Sequence, residues 1–232
     1  MQLFVCGAKP ESEFVIEKYG HEAGVVQYTG LARYDNLHDA RTKKQIVVMP
    51  TWRTYIQSKE EFLNSEYFEK WQGLLKNEEL IALLEKNNFD LIFYPHYEVQ
   101  KYLNCFEKGS ARIKIASFDK FDVQLLLKES KLLITDYSSV FFDFGYMKKP
   151  IVYFQFDIDS FFNEIHEKGY FNHDEDGFGR VCLTIEDVVE AIQACFDNDF
   201  VLEKHYLERV ERFFPLYDNK NCQRIFESII ER

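Results

Sequence analysis

KLLITDYSSVFFDFGYMKKPIVYFQF, residues 131–156, is the stretch that decides the fold. An apolar run of strand length, Leu132 to Thr135, leads into Asp136, Tyr137, Ser138 and Ser139. Val140, Phe144 and Met147 then recur at helical spacing and predict a core-facing helix. A second apolar run starts at Ile151. Together these form a strand-turn-helix-strand unit with two hydroxyl residues at its turn. A helix N-terminus carries unpaired N–H groups and the positive end of its dipole, so it suits a phosphate. Paired serines there point to a nucleotide or sugar-phosphate site, or else to helix capping. Neither serine has Glu or Gln three residues on, so no capping box supports the second reading. Asp136 suits a ribose or glycerol hydroxyl, or braces the turn. Asp143, one turn inside, sits where the helix dipole favours a carboxylate.

Further strand-like runs lie at Leu3–Cys6, Val25–Tyr28, Gln45–Met49, Asp90–Tyr94 and Arg112–Ala116. Phe121, Leu125 and Leu126 share one helical face. Trp71, Leu74 and Leu75, followed by Leu80, Ile81, Leu83 and Leu84, read as one or two helices. Strands alternating with helices imply a mostly parallel sheet covered on both faces, a Rossmann-like α/β fold. Beyond Phe156 the pattern predicts helices over 157–168, 185–196, 202–213 and 221–231, interrupted by a turn-rich stretch from Phe171 to Gly179. At 232 residues the chain is long enough for one large α/β domain or two small ones.

In open α/β sheets ligands bind beyond the carboxyl ends of the strands. The residues there include Arg33, Asp35, Thr51, Arg53, His96, Ser117, Asp136, Ser138 and Ser139, a supply of donors that an anion needs. The Arg53 guanidinium suits two-point contact with a phosphate, or else a surface salt bridge with Glu60 or Glu61. His96 suits a general acid or a cation beside a leaving phosphate, though a lone histidine is more often structural. His21, His38, His166, His173 and His205 show no partner pattern. HExxH spacing is absent, so no metal is expected. The absence of GxGxxG, GxxxxGK[ST] and GxSxG argues against a dinucleotide dehydrogenase, a P-loop ATPase and a nucleophile elbow.

The net charge of −11 argues against nucleic acid as a partner. Five cysteines, scattered and without a CxxC pair, read as reduced thiols. Apolar runs fall short of the ~18 residues of a membrane span, and the N-terminus lacks the charge and apolar run of a signal peptide. A cytoplasmic protein is expected, with a peripheral place at the inner face of the cell membrane left open.

The run ITDYSSVFFDFGYMKKPIVYFQFD resembles the signature of the CDP-glycerol glycerophosphotransferases, the teichoic-acid polymerase and primase group. Four more motifs follow in family order. TGLARYDNL is similar to G-x-P-R-x-D-x-L, VVMPTWR to A-P-T-W-R, FYPHYEVQ to a strand ending in His-Pro, and DNKNCQRIFESI to D-G-K-x-x-x-R-[IV]. Tyr97, Asn219 and Ala32 depart from the pattern. The resemblance spans Gly7 to Ile230 and implies the C-terminal half of a GT-B architecture. It implies that residues 1–28 are a remnant of the N-terminal half and its connector, and that 29–232 form a domain binding a CDP-alditol. The donor would be CDP-glycerol or a related CDP-alditol, with a polymer or lipid-linked acceptor, CMP as leaving group, and neither metal nor cofactor. Arg53, Ser138 and Ser139 would bind the donor phosphates and Thr51 would line the same turn. Asp136 and Asp143 would shape the pocket. His96 would serve the diphosphate at the transition state. Arg33, with Asp35, would stand where the chain enters this half. The family's acceptor-side base lies in the other half, so a partner chain supplying that half is expected. The alternatives are a binding module without turnover and a GT-B glycosyltransferase that uses a nucleotide sugar.

Overall fold

The computed structural model describes residues 3–22, 24–39, 41–164 and 169–230. In chain order the strands are β1 (Phe4–Cys6), β2 (Val26–Tyr28), β3 (Gln45–Met49), β4 (Asp90–Phe93), β5 (Ile113–Ile115), β6 (Leu132–Thr135), β7 (Ile151–Phe154) and β8 (Gly179–Cys182). The helices are α1 (Lys9–Tyr19), α2 (Lys59–Leu63), α3 (Glu66–Lys76), α4 (Glu78–Asn87), α5 (Val123–Glu129), α6 (Val140–Tyr146), α7 (Ile158–Glu164), α8 (His173–Asp176), α9 (Ile185–Asp197), α10 (Lys204–Phe213) and α11 (Asn221–Ile230). Two 3₁₀ segments, Ala32–Asn36 and Tyr97–Cys105, follow β2 and β4.

β1 and β2 pair in parallel with each other, joined through α1. The other six strands form one parallel sheet in the order β5-β4-β3-β6-β7-β8. Side chains alternate across it. Ile46 and Val48 of β3 face a core with Phe62, Trp71, Leu74, Leu84 and Ile192. Val47 and Met49 face a second core with Leu126, Phe141, Phe144, Val210 and Phe213. Fully burying one such side chain stabilises by roughly 1.5–3 kcal/mol. Helices therefore cover both faces, as the alternating pattern predicts.

All seven expected strands form. The eighth, β8, does not stand out in the sequence, because it is four residues long and begins with glycine. It pairs with β7, and a Cβ on Gly179 would lie 1.8 Å from the Ile151 carbonyl oxygen. The stretch read as one or two helices is two. Asn77 ends α3 and caps α4, its side chain accepting from the Leu80 N–H at 2.9 Å. Of the helix expected over 157–168, α7 forms the described part; residues 165–168, His166 among them, lie outside the described residues. At the C-terminal end of α5 the buried Lys149 donates to the carbonyls of Leu127, Lys128 and Ser130 at 2.7–2.9 Å. Cations suit that end of a helix.

Candidate functional site

The strand order fixes where to look. From β3 the chain moves outward to β4 and β5, then crosses back to β6 and continues to β8. The winding reverses between β3 and β6, which pair directly. The crevice at such a switch point is where doubly wound sheets bind ligands. Thr51 to Arg53 follow β3, and Asp136 to Ser139 follow β6. His96 follows β4, the next strand over.

Asp136 ties the two central turns together. Its Oδ1 accepts from the Thr51 N–H at 2.7 Å and from the Tyr137 N–H at 2.6 Å. Its backbone carbonyl accepts from Gln155 Nε2 at 3.1 Å. Ser138 is half-buried and Ser139 exposed. Ser139 precedes α6 with φ −58° and ψ −9° and makes no side-chain capping bond. Ser139, exposed as a residue, therefore does not cap α6 through its hydroxyl. Thr51 Oγ1 is buried and makes no hydrogen bond among the described residues.

Arg53 is not at the surface. Its side chain is 0 % exposed. Nε donates to Asp157 Oδ2 at 2.6 Å, Nη2 to Asp157 Oδ1 at 3.0 Å and Nη1 to the Thr51 carbonyl at 2.9 Å. Nη1 also lies 2.9 Å from Asp136 Oδ2. That contact lacks hydrogen-bond alignment, and Oδ2 has no bonded donor. The rings of Phe161, Tyr137, Tyr67 and Phe156 surround the guanidinium at 4.9–5.8 Å. Burial works against the Arg53 charge, but the two carboxylates outweigh it and raise its pKa further. Direct phosphate contact by Arg53, expected from sequence, is thus not open in this arrangement. The surface pair with Glu60 or Glu61 does not form either. Glu61 instead accepts from the N–H groups of Gln57 and Ser58 at the start of α2.

His96 is exposed, and its Nδ1 accepts from the Glu98 N–H at 3.3 Å. In the neutral ring Nε2 then carries the proton. Asp143 is buried on α6, and its Oδ1 accepts from Arg33 Nε at 2.6 Å. Burial raises the Asp143 pKa against the lowering effect of Arg33. Arg33 and Asp143 so form an edge contact between the Ala32–Asn36 turn and α6. Asp35 turns the other way and caps α11, accepting from the N–H groups of Asn221 and Cys222 at 2.8 and 2.9 Å. Asn219 stands where the family pattern has glycine, but it is not among the positive-φ residues. The turn is held by Asp218, whose Oδ1 accepts from the Lys220 N–H at 3.0 Å.

Two features escape the sequence reading. Asp157, just past β7, is the main partner of Arg53. A recess of about 350 Å³ opens beside Thr51 and Ser139, walled by Tyr137, Phe142, Phe161 and Tyr170. The strand-end rule that picked Asp136 would also have picked Asp157. Among the described residues no three His, Cys, Asp or Glu side chains stand together as a metal site.

A family model described as CDP-Glycerol:Poly(glycerophosphate) glycerophosphotransferase matches residues 4–231. The minor teichoic acid biosynthesis protein GgaB of Bacillus subtilis (strain 168) is 33% identical, over 100% of this chain and 26% of its own length. The teichoic acid poly(glycerol phosphate) polymerase of the same strain is 27% identical, over 84% of this chain and 25% of its own. The chain thus spans about a quarter of the length of these two relatives. The solved wall teichoic acid polymerase TagF superposes with a TM-score of 0.74 at 21% identity, covering 99% of this chain and 58% of that one. A TagF variant soaked with CDPG gives 0.70. A UDP-GlcNAc 2-epimerase of Methanocaldococcus jannaschii gives 0.59 at 16% identity, a likeness of fold alone, and the α/β architecture is GT-B-like. With the family model matching nearly from end to end, the chain belongs to the CDP-glycerol:poly(glycerophosphate) glycerophosphotransferase family.

Proposed function

We propose that this chain is the donor-binding part of a CDP-glycerol glycerophosphotransferase. It holds CDP-glycerol or a related CDP-alditol across the Thr51 and Ser138–Ser139 turns. An acceptor hydroxyl attacks the β-phosphate, an oxygen–phosphorus bond forms, and the bond to the α-phosphate breaks to release CMP. The observation that carries this reading is the placement of both turns at the switch point between β3 and β6 in a chain of this family. Ser138 and Ser139 donate to phosphate oxygens, and Thr51 Oγ1 lines the same turn. His96 Nε2–H serves the diphosphate as charge develops on the leaving side. Asp136 shapes the pocket from beneath, and Asp143 with Arg33 forms its edge.

The acceptor-side base belongs to the other half of the enzyme, in the same chain or a partner chain. Residues 1–28 go with that half, and 29–232 form the donor domain. The acceptor is polymeric or lipid-linked. The place of work is the cytoplasm, peripheral to the inner face of the membrane; no described helix is long and apolar enough to cross a membrane.

Calorimetric titration with CDP-glycerol, CDP-ribitol, CTP and UDP-glucose tests the reading. CDP-alditols are expected to bind tightest, and tight binding of UDP-glucose alone would refute it. Ser138→Ala and Ser139→Ala are each expected to lose about 1.5–3 kcal/mol of donor affinity, the range for a hydrogen bond to a charged group. A module that binds without turnover is the second reading. CMP release from CDP-glycerol by this chain separates the two.

A further inference from the structure

We infer that Arg53, Asp136 and Asp157 form a buried positioning unit that sets the Ser138–Ser139 turn, and that none of the three touches the donor. The inference rests on the donor reading above for what the turn holds, and on geometry alone for what holds the turn.

One guanidinium joins the ends of three neighbouring strands. It bonds to the Thr51 carbonyl past β3, faces Asp136 past β6, and grips Asp157 past β7 with two nitrogens. Asp136 takes the N–H groups of Thr51 and Tyr137, so neither is open to a phosphate. Tyr137 closes the loop, its hydroxyl donating to Asp157 Oδ1 at 3.2 Å and its ring stacked on Phe161 at 3.6 Å. The next residues along the chain are Ser138 and Ser139. Their height above the sheet is set by the two residues before them, and both of these are tied to the unit.

Charge gives an independent reason. One arginine faces two carboxylates, so the unit carries a formal charge of −1. It offers a diphosphate no net attraction. A phosphate that displaced Asp157 to reach Arg53 would have to part the surrounding rings and leave a carboxylate buried without its partner. The cheaper arrangement keeps Arg53 beneath and holds the phosphates with neutral hydroxyl and N–H donors. A planar fork with two fixed carboxylates is a device for orientation, and lysine cannot reproduce it.

A double-mutant cycle tests the idea. Arg53→Lys and Asp157→Asn are each combined with the pair Ser138→Ala and Ser139→Ala, and CDP-glycerol affinity is measured below every melting transition. Each unit variant is expected to weaken binding about tenfold in the parent background and about threefold or less once both serine hydroxyls are gone, because its effect runs through the serine turn. Equal losses in both backgrounds mean that Arg53 contacts the donor itself, and overturn the inference. A second arm uses no ligand. The amides of Tyr137, Phe141 and Phe142, which donate to Asp136 Oδ1 and to the Ser138 and Ser139 carbonyls, should exchange faster in the variants while the amides of β3 and β6 hold. Unchanged exchange at the turn also overturns the inference. Should Arg53→Lys fail to fold, Asp157→Asn and Tyr137→Phe carry both arms. If the unaltered chain does not bind CDP-glycerol, the donor reading fails, and the exchange arm still decides the positioning role.

Discussion

Replacing Gly30 with alanine puts the TGLARYD motif to a quantitative test. Gly30 has φ +75°, and a Cβ built on it would lie 1.9 Å from Asn221 Oδ1. Asn221 is 0 % exposed. Its Nδ2 donates to Asp35 Oδ1 at 2.7 Å and to the Asp218 carbonyl at 3.1 Å, and its Oδ1 accepts from Arg224 Nη2 at 2.7 Å. An alanine methyl would therefore push this side chain out of its network. Losing three bonds, two of them to charged partners, costs about 3 kcal/mol. Holding alanine in left-handed backbone adds about 1 kcal/mol. A total of roughly 4 kcal/mol should lower the melting temperature on the order of 10 °C in a chain of this size. Urea unfolding of the parent, Gly30→Ala, Asn221→Ala and the double variant gives the check. The Asn221 Cβ is 3.6 Å from the new methyl, an ordinary contact, so truncating Asn221 removes the clash. In that background Gly30→Ala should cost only the backbone strain, about 1 kcal/mol. A cost within about 1 kcal/mol in the parent, or the same large cost in both backgrounds, would refute the reasoning.

The remaining predictions concern charge. Burial pushes the Asp35 carboxyl up, but hydrogen bonds from Cys222 and Asn221 outweigh it and hold the group at about 2, below its ordinary 3.8. Between those values the unfolded chain binds the extra proton, so stability from Asp35 is present above about pH 4 and drains away as pH falls towards 2. Asp35→Asn should abolish that segment of the acid-unfolding curve. Burial lowers His173 to about 4, from 6.5. Here too the unfolded chain takes the proton first, so stability should already decline between pH 6.5 and 4, and His173→Phe should flatten that earlier segment. A parent curve flat down to pH 4 would contradict the His173 assignment. Lys149→Met leaves three carbonyls at the end of α5 without their donor and should cost about 1–3 kcal/mol by urea unfolding.

Much of the fold is legible because parallel strands buried on both faces are short apolar runs. β3, β6 and β7 are such runs with every residue buried. β8 is not legible, since GRVC is a short edge strand with an exposed arginine in it. At the site, the strand-end rule locates Thr51, His96, Asp136 and the serines. It says nothing about depth. Arg53 reads as a phosphate ligand or a surface partner of Glu60 or Glu61 because its actual main partner, Asp157, lies 104 residues away, and no periodicity links the two.

By itself the sequence determined the alternation of strands and helices, the polar turns that follow the strands, and the family motifs that order them. These are local properties of spacing and residue type. Only the tertiary structure decided that β3 and β6 lie side by side, which brings the Thr51 and Ser138–Ser139 turns together. It also decided that Arg53 lies under those turns and not on them. The reason is that strand order and the pairing of buried charges are made by contacts between residues remote in the chain. A guanidinium takes its role from what surrounds it, here two carboxylates and four aromatic rings.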